Sequence, residues 1–244
     1  MNKYYYDLHI HSCLSPCGDE DMTPANIAGM AAVAGLQIAA LTDHNTTENC
    51  PPFWQACRAN GIIPVPGMEL ETSEEVHLLC LFPTLEAAMD FGAAVAAARM
   101  PIKNRPDIFG RQLVMDAADT VLREEETLLL SATTLSLAEG TRLCRDHGGV
   151  CYPAHIDRPS NGVIAMLGTF PEDLGYTAYE LSPTGDKAAL TEQFPFLAGL
   201  RHVVSSDAHY LWNISDAQNF LMLEDEPYSG ALVRENLLRY LEGK

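Results

Sequence analysis

The segment "DLHIHS", Asp7–Ser12, decides how the rest of the sequence is read. It continues an apolar run, "YYYDLHI", that reads as a buried strand, yet it carries two histidines two residues apart. Side chains two apart on a strand share a face, so His9 and His11 present their rings side by side while Leu8 and Ile10 point into apolar packing. Burying an imidazole without a partner is costly. Two on one face invite a metal ion, against the plainer alternative of one satisfied core histidine and one surface residue.

Outward from that strand, apolar and turn signals alternate. "TPANIAGMAAVAGL" opens with Thr23 as a helix cap and Pro24 at the first helical position, and "QIAALTDHN" returns as a short buried strand. "PFWQACRANG" reads as a helix closed by Gly61, followed by strands at "IIPVPGMEL" and "VHLLCLF" and an Ala-rich helix at "TLEAAMDFGAAVAAAR". Further strands are expected at "GVCYPAH", "AYEL" and "HVVSSDAH", with helices at "SLAEGTRLCRDHG", "GVIAMLG" and "ALVRENLLRYLEG". This order predicts an α/β domain with a parallel sheet, open or closed into a barrel, over residues 1–244. Residues 100–130 fit the alternation poorly and read as an excursion containing one helix.

Composition narrows the function classes. The chain carries 15 Lys and Arg against 33 Asp and Glu, a net charge of −18, which repels polyanions and leaves no basic stripe for a nucleic-acid backbone. A small anion held by one or two local cations and by metal ions stays open as a partner, with no polymeric nucleic acid expected. No apolar run is long enough for a bilayer and the first residues do not form a signal peptide, so no membrane partner and a cytoplasmic location are expected. Seven cysteines at scattered spacing suit reduced thiols; the close pair Cys13 and Cys17 lacks the second pair that a structural zinc site needs. The number of chains in the assembly is not legible.

The metal-type residues recur at predicted strand ends: His9 and His11, then Asp43 and His44 in "LTDHN", Glu69 in "GMELE", His155 in "YPAH", and Asp207 with His209 in "SSDAH". His77 lies in "EEVHLL". In parallel α/β folds the carboxyl ends of strands share one mouth, so these residues are expected to converge. Only His147, in a helix tail, and His202, at a strand start, read as structural.

Five strings in order, "DLHIHS", "LTDHN", "GMELE", "PAHIDR" and "SSDAH", resemble the motif set of the PHP family, named for polymerase and histidinol phosphatase, and the similarity covers nearly the whole chain. The resemblance implies a distorted seven-stranded (β/α)7 barrel of TIM type that hydrolyses phosphoesters with two to three divalent metal ions, zinc, manganese or iron. By the same resemblance His9, His11, Glu69 and Asp207 hold the first metal, and Glu69, His77 and His155 the second. His44 and His209 hold the third with an acid from the loop "SPCGDEDMTP", where counting back from Thr-Pro selects Asp19, with Glu20 and Asp21 as alternatives.

By the same resemblance Glu69 bridges two dications and Asp207 and His209 complete the catalytic set on a small phosphorylated substrate, with His209 near the leaving-group oxygen as acid where no metal occupies it. Asp43 reads as an acceptor that orients a ligating imidazole, or as a turn aspartate. Arg158, three residues after His155, offers a planar fork for phosphate; Lys103, Arg105 and Arg111 are further candidates. Two rival readings remain: an amidohydrolase-type C–N hydrolase on a similar barrel, and a non-catalytic barrel that binds metal or nucleotide.

Overall fold

Local rules act first. In the computed structural model, which describes residues 1–244, the Thr23 hydroxyl accepts the Asn26 N–H and Pro24 begins the first helix, where its missing donor costs nothing. The elements follow as β1 (Asn2–Asp7), α1 (Pro24–Val33), β2 (Ile38–Leu41), α2 (Cys50–Ala59), β3 (Ile63–Glu71), β4 (His77–Leu81) and α3 (Leu85–Ala96). Next come α4 (Pro106–Phe109), β5 (Leu113–Met115), β6 (Val121–Glu124), α5 (Leu137–Asp146), β7 (Val150–Pro153), α6 (Val163–Leu167) and β8 (Ala178–Leu181). The chain ends with α7 (Lys187–Gln193), β9 (Arg201–Val204), β10 (Phe220–Leu223) and α8 (Gly230–Leu241).

The expected seven-stranded (β/α)7 barrel is not what forms. One sheet has six strands in the order β10-β1-β2-β3-β4-β7, and β8-β9 and β5-β6 make separate two-stranded ladders. Strands β1, β2 and β3 are parallel, but β10 is antiparallel to β1, and β4 is antiparallel to both β3 and β7. The physical reason lies in "TSEEV": Thr72 N–H donates to Val76 O at 3.0 Å and Glu75 N–H to Thr72 O at 2.9 Å, with Glu75 at φ 60°. A turn this tight can only reverse the chain, whereas a parallel neighbour needs a crossover of a dozen or more residues. The result is a mixed, half-closed sheet.

That reversal matters for function. Glu71 pairs with His77 across the turn, so the first residue of β4 stands at the end of the sheet where β1, β2 and β3 terminate. The β8-β9 ladder joins the same end through single contacts: His11 N–H donates to Ala208 O at 3.0 Å, and Ile156 N–H to Glu180 O at 3.0 Å.

All four β2 residues are buried, as expected of a strand covered on both faces. Ile38 and Ala40 pack with Leu8, Val65, Leu79, Tyr152 and the Val233, Leu237 and Leu241 face of α8. Ala39 and Leu41 pack the other way, against Ile27 and Ala31 of α1 and Phe53 and Cys57 of α2. The site end is thereby carried on a core closed from both sides.

Residues 100–130 form α4 and the β5-β6 hairpin, tied to the loop after β1 where Leu113 N–H donates to Cys13 O at 2.9 Å. Asn49 extends the tie, its side chain donating to Leu113 O at 3.0 Å and accepting Met115 N–H at 2.9 Å. All seven cysteines are free thiols, with Cys13 packed against Leu113 and Met115. No helix is long and apolar enough to cross a membrane.

Candidate metal centre

β1 ends at Asp7, and the chain runs on with Leu8 and Ile10 in the core and His9 and His11 fully buried toward the opposite side. Their Nε2 atoms stand 3.0 Å apart. Each ring is aimed from behind. The Nδ1–H of His9 donates to Glu180 Oε1 at 2.8 Å. The Nδ1–H of His11 donates to Ser15 Oγ at 3.0 Å, and Ser15 Oγ donates to Asp43 Oδ1 at 2.7 Å. Holding the proton on Nδ1 turns the Nε2 lone pairs inward, the arrangement that carboxylate partners impose on metal-ligating histidines.

Glu69, in β3 and buried, is the hub. Its Oε1 lies 2.7 Å from His77 Nδ1, 3.1 Å from His155 Nε2 and 3.3 Å from His9 Nε2. Its Oε2 lies 3.1 Å from His44 Nδ1 and 3.2 Å from His11 Nε2. Asp207 faces the two histidines that follow β1, with Oδ1 3.0 Å from His11 Nε2 and 3.2 Å from His9 Nε2. His209 stacks on His11 at 4.3 Å, and its Nδ1–H donates to Asp207 O at 2.8 Å, which leaves its Nε2 free. The backbone is bent to deliver these groups: His155 sits at φ 26° and Asp207 at φ 51°. That region is disfavoured for residues with a side chain and recurs at functional sites.

Three sets of ligand atoms lie within 4.8 Å of one another: His9, His11, Glu69 and Asp207; His44, Glu69 and His77; His11, His44 and His209. His155 reaches Glu69 Oε1 and stands 3.3 Å from His77 Nδ1. The Asp19 carboxylate belongs to none of the sets. Its Oδ1 accepts Asp21 N–H at 2.9 Å, and only its backbone touches the site, donating to His209 O at 2.9 Å. Glu20 pairs with Arg111 at 3.3 Å, and Asp21 is exposed.

Asp43 accepts from Ser12 N and from the hydroxyls of Ser12 and Ser15, so the imidazole it serves is that of His11, not its neighbour His44. Arg158 reaches the mouth and donates to Asp207 Oδ2. Arg105 pairs with Asp107 and Arg111 with Glu124, while Lys103 is exposed on the 100–130 segment. His147 donates to Leu143 O and His202 lies beside Lys187, both outside the cluster.

Sequence reasoning missed Glu180 and Ser15. Glu180 had a signal: it is the one charged residue in the buried strand "AYEL". Ser15, in a loop among other small polar residues, had none. Asp7 was also passed over. It is buried and accepts Ser206 N–H at 3.0 Å and Ser215 N–H at 3.2 Å, clipping the Asp207 loop to β1.

The electrostatics follow from this crowding. Burial alone would raise the Glu69 carboxyl, but His77, His9 and His44 around it hold it well below the usual range. Burial opposes a charge on His11, yet Asp207 and Glu69 raise it to about 9; His9, beside Asp207 and Glu180, is held well above its ordinary value. Burial and the neighbouring His11 push His209 down to about 4. At the centre, His44 Nδ1, Glu69 Oε2 and Asp207 Oδ1 are buried without a hydrogen-bond partner. Unsatisfied nitrogen and carboxylate atoms pointing into one space fit a divalent transition metal.

Two expectations arise here. Glu180→Gln removes the anionic acceptor behind His9 and should weaken metal binding by about 10–100-fold in a chelator competition, with the fold retained. The second concerns pH. His11 keeps its proton in the metal-free chain from its ordinary 6.5 up to about 9, so that stabilisation is complete below 6.5 and lost as pH rises through 9. A bound metal replaces the proton, so the rise in Tm on adding metal should grow between those two pH values. A difference that stays flat across the window contradicts the assignment.

A family model of the PHP domain matches residues 7–143, more than half of the 244, and so spans His9, His11, His44, Glu69 and His77. His155, Arg158, Asp207 and His209 lie beyond the matched residues. No curated protein matches the sequence. Among solved structures, the lesion-specific endonuclease Q of Pyrococcus furiosus matches with a TM-score of 0.71 at 18% identity, over 99% of this chain and 56% of that one. An endonuclease Q in complex with a 27-mer duplex carrying an abasic lesion at its active site gives 0.71 at 19%, over 99% and 57%. The chain thus spans little more than half the length of these endonucleases. A structure described as a metal-dependent phosphoesterase from Bifidobacterium adolescentis gives 0.59 at 20% identity, over 96% of both chains. At these identities the likeness is one of fold.

One expectation from composition is overturned. A chain of this fold takes duplex DNA as its substrate, so a net charge of −18 does not exclude polymeric nucleic acid. Net charge averages over the whole surface, whereas a phosphodiester responds to the charges within a screening length of about 8 Å.

Proposed function

The chain belongs to the PHP-domain family, and from that premise we propose that it hydrolyses phosphoesters at the cluster around Glu69. It is a metal-dependent hydrolase. What supports phosphoester cleavage is a single buried carboxylate whose two oxygens face different imidazoles, His77, His155 and His9 on one side and His44 and His11 on the other. A carboxylate so placed has the charge and reach to serve two or three dications at once. Divalent ions held there supply Lewis-acid activation of water and neutralise phosphate oxygens.

The chain's own groups do the rest. Glu180 and the Ser15–Asp43 pair hold the Nδ1 protons of His9 and His11, so both Nε2 atoms face inward. Asp207 supplies Oδ1 to the same centre while Arg158 holds its Oδ2. Arg158 is the cation nearest the mouth, and its guanidinium matches a non-bridging phosphate oxygen pair. His209, pushed down to about 4, presents a lone pair at Nε2 at neutral pH, which suits ligation better than proton donation. The whole of residues 1–244 serves as one catalytic domain, with the 100–130 segment beside the mouth.

Small phosphoesters are the first substrates to examine. A nucleic-acid strand is the second reading, favoured by the endonuclease Q match at a TM-score of 0.71. Metal-loaded protein assayed against phosphomonoesters, mononucleotides and intact or abasic oligonucleotides separates them. Hydrolysis of the small esters supports the first reading, cleavage confined to oligonucleotides the second, and hydrolysis of neither, with amides cleaved instead, contradicts phosphoester chemistry.

A further inference from the structure

At the other end of β3, far from the histidines, Arg234 of α8 is buried to 7% exposure and pairs with no carboxylate. Its Nε–H donates to Pro83 O at 2.6 Å and its Nη1–H to Pro64 O at 3.3 Å, and the guanidinium lies 4.4 Å over the Trp54 ring. Nη2 has no protein acceptor, and Arg234 lines a cavity of about 370 Å³. Arg58 lines the same cavity and also lacks an acidic partner, and no Asp or Glu lines it. On a chain with 33 acidic and 15 basic residues, a buried guanidinium and a second arginine sharing an acid-free cavity stand out. Burying a charge without a counter-charge costs several kcal/mol, and two carbonyl acceptors could be served by a neutral amide.

Other donors point the same way. Gly230 and Ala231, the first residues of α8, line the cavity, and their backbone N–H groups have no partner, because the Ser229 cap takes the N–H of Leu232. Trp54 and the exposed Tyr228 add two aromatic faces. We propose that this cavity is a second binding site, separate from the metal centre, for a small phosphorylated molecule whose oxyanion lies between Arg234, Arg58 and the first turn of α8. The volume exceeds what a bare ion needs and falls within the range of small-ligand pockets. Ile63 at the cavity and Glu69 at the metal centre are both on β3, about 20 Å apart at a rise of about 3.3 Å per residue, so one ligand cannot bridge the two places.

The chain has two tryptophans, Trp54 and Trp212, so Trp212→Phe leaves Trp54 as the sole reporter at the cavity. Inorganic phosphate, titrated into the metal-loaded full chain at constant ionic strength, should change its emission saturably, and phenylphosphonate, which has no ester bond to cleave, should do so at lower concentration. Arg234→Gln and Arg58→Gln should each weaken the response by about tenfold or more, while Arg158→Ala leaves it unchanged. Arg58 is exposed, so its variant keeps the fold and decides the matter if Arg234→Gln does not fold. No saturable response, or one that survives Arg58→Gln and disappears in Arg158→Ala, overturns the proposal.

Discussion

Glu69→Gln is expected to lower phosphoester hydrolysis by more than about a thousandfold and to remove at least about one metal ion per chain. Glutamine keeps the size and one carbonyl oxygen but loses the charge that five imidazoles share, those of His9, His11, His44, His77 and His155. Breaking a buried charged contact by removing one partner costs about 4 kcal/mol, and here a single change touches two ligand sets at once. The metal-free chain should also suffer, because His9 and His11 lose a neighbour that keeps them protonated. Elemental analysis beside steady-state kinetics checks both parts. Normal metal content with activity within tenfold of the parent protein would remove Glu69 from the centre.

Arg158→Ala should leave metal content unchanged and reduce kcat/KM for a phosphoester by about 2 kcal/mol, roughly thirtyfold, the scale of one charge-assisted hydrogen bond made in the transition state. The structure adds a refinement. Arg158 is engaged with Asp207 Oδ2, so its transfer to a phosphate oxygen would release that carboxylate oxygen toward the centre. Arg158→Lys should recover only part of the loss, since a point charge cannot reproduce a two-pronged contact. A C–N hydrolase acting on a neutral substrate would have no need of this cation, so unchanged kcat/KM in Arg158→Ala speaks against phosphate recognition at this position.

How much of this was legible depends on whether the information is local. The pairing of His9 with His11 is a matter of period two along an extended chain, and the Asp43–His44 and Asp207–His209 pairs follow apolar strands directly, so their convergence at one end could be expected from the sequence. The direction of β4 could not, because "TSEEV" reads equally as a loop leading to a crossover and as a reversal, and only the Thr72–Val76 hydrogen bond decides. That same reversal brings His77 to the site from the beginning of a strand instead of its end. β10 had a signal, since Leu221 and Leu223 are buried and alternate with exposed Phe220 and Met222, but it is short and polar at both ends. Counting back from Thr-Pro selects Asp19, yet loop length says nothing about which way a carboxylate points, and Asp19 Oδ1 accepts the backbone N–H of Asp21. Glu180 behind His9 and Arg158 on Asp207 are contacts between distant segments, which no local pattern encodes.

The most direct measurement is a metal titration of chelator-stripped protein followed by hydrolysis of a phosphomonoester. Activity should be absent without metal, rise with each addition and break at about two equivalents per chain or more, the outcome expected if Glu69 is shared between two ligand sets as proposed. Hydrolysis that survives complete chelation, or a fully loaded protein that cleaves no phosphoester, would contradict the account.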